Sequence, residues 1–404
     1  MPHTSRSFDQ LSLPSRLSHI HLFFIGWLYY LLLPLVAVRF GLYHSINGFQ
    51  IMDRYSTPND LSWAIMFLYI TLFLFCYILG TYIPRCLPRL LKIEKPIKKK
   101  TGLLILFYGI MLVSSTLSVR ESLFKGYTEG TDIFLVGPIA ALQMALLLQY
   151  LAAKSSSMPY TRWVLILLVC SSIILLSMGG RLYVLITGIA LYFYWWKWSA
   201  KRRGARRLSI FMLVVSPLFL ASIGMLRMGY FDISLFDYAI LVESWYTSIS
   251  AFTFMSGNSW SLIDYPSDFL CSFLNIVPTP LWPDKGLFQP ALIDSHIQFE
   301  APFGGISIVV STIGNFGYIG GLIFVTFVGY MIESLHKKSH TVLGRALYCY
   351  ISSLLPFMFF RDPFQIQVKV VMTGILLIWL NRILSLPVVR RPAISITPSQ
   401  ELIS

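Results

Sequence analysis

The sequence predicts an all-α polytopic membrane protein, with about ten transmembrane helices and one long outer loop that contains an interfacial helix. Three observations predict it. First, 56% of the 404 residues are hydrophobic and only 12% are charged, about half the charged share of a soluble domain. With a mean hydropathy of +0.67, a soluble fold of this size would have no way to hide its apolar surface, so lipid must be its solvent. Second, the apolar runs are long and unbroken, without the short alternating segments of a membrane barrel. Helices follow, because each span in lipid must satisfy its own backbone hydrogen bonds. Third, the charges are sorted between alternate connections. These features exclude a cytosolic enzyme, a nucleic-acid-binding module and a disulfide-rich secreted domain.

A span needs ~20 mostly apolar residues to cross ~30 Å of hydrocarbon. Ten runs qualify: about 20–42, 61–83, 101–118, 132–153, 163–179, 181–197, 208–226, 306–334, 342–360 and 364–383. Together they form a single integral membrane domain over 1–404. The polar N-terminus has no A-x-A-like cleavage site, so no signal peptide is expected. Both chain ends and the loops near 85–100, 154–162, 197–207 and 335–345 hold 23 of the 32 Lys and Arg residues. The acids are biased the other way, with 14 of 18 on the opposite side. The positive-inside rule makes the basic side, and both termini, cytoplasmic. The net charge of +14 is therefore a topological signal, and no nucleic-acid partner is expected. Of the five cysteines, all but Cys271 lie in or beside apolar runs, so no disulfide framework is implied.

Most outer connections are short. The exception runs from Arg227 to about 305. Ser234-x-x-Asp237 resembles a capping box that opens an apolar, aromatic helix over about 235–256, expected to lie along the membrane interface. Six prolines between Pro266 and Pro302 then argue for ordered coil. A long outer loop on a compact helical body is where function usually sits.

The candidate chemistry lies on that outer side. Ser177-Met178-Gly179-Gly180-Arg181 is the apex of a helical hairpin whose legs, between Arg162 and Lys197, have about 17 residues and rise only ~26 Å. The apex should sit in a recess, with the glycines allowing a tight turn and close approach of a ligand. Arginine at such depth marks a functional site, the alternative being an arginine that snorkels to lipid phosphates. Arg227 fits either an interfacial anchor or an anion ligand. Arg361, Gln365 and Lys369 are spaced to form one polar stripe if the helix includes them, although Asp362 offers Arg361 a local ion pair. His296, the lone histidine of the long loop, is a natural proton carrier, with Asp294, Glu300 and Glu243 as weaker bases. Gly304, Gly305, Asn315, Gly317, Gly320 and Gly321 weaken a helix start. They suggest a segment that dips into the membrane, or else a small-residue packing face. No His/Asp/Glu cluster shows metal-ligand spacing, and no P-loop, dinucleotide fingerprint or nucleophile elbow occurs. Neither a metal nor another cofactor is expected. His19 and His21, near the cytoplasmic end of the first span, have no convincing motif around them.

The chain resembles the O-antigen polymerase family of bacteria, often called Wzy. The resemblance lies in the number of spans, the long loop after the seventh, Ser-x-Gly-Gly-Arg at 177–181, Asn315-Phe316-Gly317 to Gly320, and Phe359-Phe360-Arg361-Asp362. It covers nearly the whole chain. It implies a membrane glycosyltransferase of the bacterial inner membrane that uses undecaprenyl-pyrophosphate-linked oligosaccharides and lengthens a surface polysaccharide at its periplasmic face. It also implies Arg181, Arg227 and Arg361 as pyrophosphate ligands, His296 or a nearby acid as base, and a chain-length regulator as partner within the membrane lipids. O-antigen ligases look similar at this level. A flippase or transporter of the same lipid-linked oligosaccharide is a further alternative, although such proteins usually show matched halves and no repeat is visible here.

Overall fold

The computed structural model describes residues 18–41, 59–83, 101–118, 120, 133–155, 160–178, 180–198, 236–257, 261–277, 282–284, 300, 305–359, 372 and 376. Among them the chain is predominantly helical, without strands. Helices occupy eight of the ten apolar runs: α1 (His19–Arg39), α2 (Asp60–Tyr82), α3 (Thr101–Ser118), α4 (Ile133–Ser155), α5 (Thr161–Ser177), α6 (Arg181–Trp198), α9 (Ile308–Lys337) and α10 (Val342–Leu354). Between α6 and α9 come α7 (Phe236–Gly257) and the short α8 (Ser267–Cys271), which continues as a 3-10 turn. The runs at 208–226 and 364–383 lie outside the described residues, apart from Met372 and Leu376. Among the described residues, three helices, α1, α2 and α9, are long and apolar enough to cross a membrane.

The exposed faces explain why the composition is so apolar. Along α2, Leu61, Ile65, Leu68, Leu72, Phe75 and Leu79 form an exposed stripe. Ile319, Ile323, Phe327 and Met331 do the same on α9, as do Trp163, Ile166, Val169 and Ile173 on α5. Spacings of three and four residues place each set on one helical face. Water would penalise these stripes and hydrocarbon accommodates them, so the outward surface is built for lipid.

Inside, α2 and α9 pack along most of their length. Small residues let the two backbones touch: a Cβ on Gly80 would overlap the Thr326 carbonyl, and one on Gly329 the Tyr77 carbonyl. Close approach of this kind holds helices together where lipid removes the hydrophobic incentive. An aromatic cluster joins α1 to its neighbours. Phe23 stacks on Tyr77 with ring centroids 3.6 Å apart and meets Phe359 edge-on at 5.1 Å.

Helix α1 contains a π-helical turn at Leu28–Leu32, and Pro34 follows. Proline has no N–H to donate to the carbonyl four residues earlier, that of Tyr30. Ser248 Oγ of α7 gives its proton to Ser244 O at 2.6 Å and comes within 3.4 Å of this carbonyl. Helix α7 is packed inside the bundle against α1, α2 and α9, which corrects the expectation of an interfacial helix. Such a helix would keep one polar face exposed, yet Ser244, Trp245, Thr247, Ser248, Ile249, Ser250, Ala251, Phe252, Phe254 and Met255 are all buried. The helix starts close to where the capping pattern predicts, although Ser234 itself lies outside the described residues.

Candidate functional site

The hairpin of α5 and α6 forms as expected, with legs of 17 and 18 residues, each ~26–27 Å long. Its turn is tight. The Gly180 N–H donates to the Leu175 carbonyl at 2.7 Å, and a Cβ on Gly180 would press within 3.0–3.4 Å of Leu175. Arg181 is the first residue of α6. A buried polar clasp holds both legs against α4. Gln143 Nε2 donates to Ser172 Oγ at 2.6 Å and to Thr187 Oγ1 at 3.0 Å, while Ser171 Oγ donates to Gln143 Oε1. Composition alone hid Gln143, one of two amides, with Gln149, in an apolar run. In a lipid setting a buried amide is itself a signal, because it must find partners on other helices.

The glycine-rich approach to α9 differs from the expected weak helix start. The helix begins cleanly at Ile308, and the Ser307 Oγ accepts from the Val309 N–H at 3.3 Å. The preceding Gly305 is packed on the α7 backbone, 3.0 Å from Tyr246 C for an added Cβ. The break comes later, at Gly317, with φ +73° and ψ 178°, a conformation essentially reserved for glycine. Residues 261–264 dock on the break. The Asp264 N–H donates to Phe316 O at 3.0 Å, Tyr318 N–H to Ser261 O at 3.2 Å, and Ile319 N–H to Leu262 O at 2.9 Å. A Cβ on Gly317 would lie 2.7 Å from the Leu262 carbonyl, so the loop fits only against glycine.

Asn315 is buried and caps α8. Its Oδ1 accepts from the Phe269 N–H at 2.8 Å and its Nδ2 donates to Ser311 O at 2.8 Å. With its oxygen and its nitrogen both engaged, it ties the loop before α8 to α9. Glu300 is exposed, and its N–H is anchored at 2.9 Å to Thr253 Oγ1 of α7. The other expected site residues, His296, Asp294, Arg227, Arg361, Lys369, Gly179 and Gly304, lie outside the described residues. The ninth run tightens into a 3-10 turn over Leu355–Phe359, around Pro356, before Arg361 is reached.

At the opposite ends of these helices the structure gathers ionisable groups that sequence spacing passed over. His336 Nδ1 lies 3.0 Å from Glu333 Oε2, and Lys197 Nζ lies 2.6 Å from His336 Nε2. His19 Nε2 stands 3.8 Å from the same Glu333 oxygen, and His19 Nδ1 is 3.0 Å from Tyr348 Oη. The ring of Tyr348 also stacks on His336, with centroids 4.8 Å apart, and underlies Lys197 Nζ at 4.6 Å. Thus the expectation that no acid–histidine cluster has ligand spacing fails here. Glu333 and His336 sit one turn apart on α9, a visible Glu-x-x-His signal. The third member comes from the other end of the chain, and only folding joins it. Comparisons with protein-family models, curated proteins and solved structures return no match for this chain.

Proposed function

We propose that the chain is a polymerase of a bacterial surface polysaccharide in the inner membrane, crossing it about ten times with both termini cytoplasmic. The growing glycan leaves undecaprenyl-pyrophosphate and joins the nonreducing-end sugar of a lipid-linked repeat unit at the periplasmic face. The observation that carries this reading is the position of Arg181. It opens an 18-residue helix at the apex of a short hairpin. A basic residue at the positive end of a helix dipole opposes the usual stabilising pattern. Its position makes sense if an anion binds there, and a recessed anion site reached from the membrane suits a lipid pyrophosphate. Arginine binds phosphate in a bidentate way and stays charged.

The chemistry follows from those parts. The acceptor hydroxyl attacks the anomeric carbon of the donor, and its proton passes to a base. His296, Asp294 and the exposed carboxylate of Glu300 are the candidates. The bond between the anomeric carbon and the phosphate oxygen breaks, and undecaprenyl-pyrophosphate departs. Arg181, with Arg227, Arg361 and Lys369, stabilises the negative charge that develops on it, usually the largest catalytic contribution. A chain-length regulator is the expected membrane partner.

Deletion of the gene followed by gel analysis of the surface polysaccharide tests the proposal. A ladder that collapses to core plus one repeat unit is the expected outcome. Loss of all capped material would assign the chain to ligation or flipping instead, and an unchanged ladder would remove it from this process.

A further inference from the structure

We propose that His19, Glu333 and His336 form a three-ligand site for a divalent transition metal of the zinc class, tying the start of α1 to the end of α9. The argument is independent of the polysaccharide reading, and it begins with an orphan. His19 is 1% exposed, and its Nε2 has no hydrogen-bond partner. A buried polar atom without a partner is costly. The atom is aimed at Glu333 Oε2 across 3.8 Å, too far for a hydrogen bond. When Nδ1–H is donated to Tyr348 Oη, Nε2 presents a lone pair to a carboxylate, and two electron-rich atoms face each other. A cation between them resolves the conflict.

The geometry fits such an ion. One nitrogen from each imidazole and one carboxylate oxygen lie within 4.8 Å of one another. Ligand bonds of ~2.0–2.2 Å place tetrahedral donors ~3.3–3.5 Å apart, and the observed 3.0 and 3.8 Å separations to Glu333 Oε2 bracket that span. Two imidazoles and one carboxylate are the donor set that borderline metals select over magnesium or calcium. A metal-bound histidine normally fixes its other ring nitrogen to an oxygen partner, and Tyr348 Oη provides this for His19. The side chain of His336 is 32% exposed, which leaves the ion a way in and the fourth coordination position open to water.

Lys197 is the competing cation. Its ammonium lies against His336 Nε2 and balances the carboxylate while the metal is absent. Ligation through His336 Nδ1 moves that ring's proton to Nε2, and the ammonium swings away on its flexible stem. Removal of this charge should therefore strengthen metal binding.

The test uses the full chain purified in detergent and stripped with chelator, so it is read without a glycan assay. Zn2+ is titrated and counted by elemental mass spectrometry after desalting, and Co2+ provides an optical probe of a four-coordinate site. Wild type is expected to bind one ion per chain. His19→Gln and Glu333→Gln should each weaken binding by more than about 100-fold, and Tyr348→Phe by about 10–100-fold. Lys197→Met should bind on the order of tenfold more tightly. Because Glu333→Gln is nearly isosteric and Lys197→Met is a gain-of-affinity variant, misfolding would not produce this pattern. Stoichiometric binding that survives both His19→Gln and Glu333→Gln would overturn the proposal, as would equal failure of wild type and Lys197→Met to retain metal.

Discussion

At the residue scale, Arg181 and Gly317 carry the most consequence. Arg181→Ala should abolish polysaccharide extension while the protein still inserts and accumulates. Loss of a preorganised stabiliser of developing charge costs about 100–1,000-fold in rate. Arg181→Lys should rescue only in part, because an ammonium keeps the charge but not the planar fork. The polysaccharide ladder, run beside a membrane-fraction immunoblot, checks both variants, and a normal ladder from Arg181→Ala would remove the anion-site argument. Gly317→Ala acts through stability. Its backbone conformation costs a substituted residue about 1–3 kcal/mol, and the overlap with the Leu262 carbonyl adds to this. The expected result is a clearly lowered melting temperature in detergent. Glycine density pointed to this region from sequence alone. Which glycine breaks the helix was not legible, because the choice depends on where residues 261–264 arrive from elsewhere in the chain.

At the element scale, apolar run length predicted α3 to the residue and most other helices to within a few, since lipid thickness dictates that length. The aromatic content of α7 resembles that of a surface helix, so its sequence does not reveal that it is buried. The decisive facts are the burial of Ser244, Thr247, Ser248 and Ser250 and the approach of Ser248 to the Tyr30 carbonyl of α1, a contact between helices more than 200 positions apart. The α5–α6 hairpin was legible, but Gln143, the side chain that fastens it, was not. Gln143→Leu removes three interhelical hydrogen bonds, each worth about 0.6 kcal/mol in membranes. It should lower the melting temperature modestly and reduce activity by loosening the apex rather than by touching substrate. Asn315→Ala should cost about 1 kcal/mol, as loss of a helix cap does. Its signature should be local: faster hydrogen exchange across 261–277, with the α2–α9 contact unchanged.

At the scale of the whole molecule, packing gathers ionisable groups from several helices into one cluster. The start of α1, the ends of α6 and α9 and the middle of α10 meet through His19, Lys197, His336 and Tyr348, and the orientation proposed from the basic residues puts all four toward the cytoplasm. In a cysteine-free background, Tyr265→Cys is therefore expected to react with an impermeant thiol reagent at the periplasmic face, while His340→Cys reacts only after the cells are opened. The reverse labelling would invert the orientation. The short hairpin has a further consequence, for the bilayer itself. Helix α5 turns Trp163, Ile166, Val169 and Ile173 outward; as one of the spans proposed above, its ~26 Å length would meet hydrocarbon ~30 Å thick. Lipids pack around such a mismatch by thinning, at a cost of fractions of a kcal/mol per ångström. The membrane beside a hairpin that spans in this way would form a local depression. In reconstituted vesicles, shorter acyl chains should then raise the melting temperature, and longer ones should lower it. A polyprenyl carrier diffusing in the leaflet would find its phosphates brought closer to the apex there than anywhere else along the protein's edge.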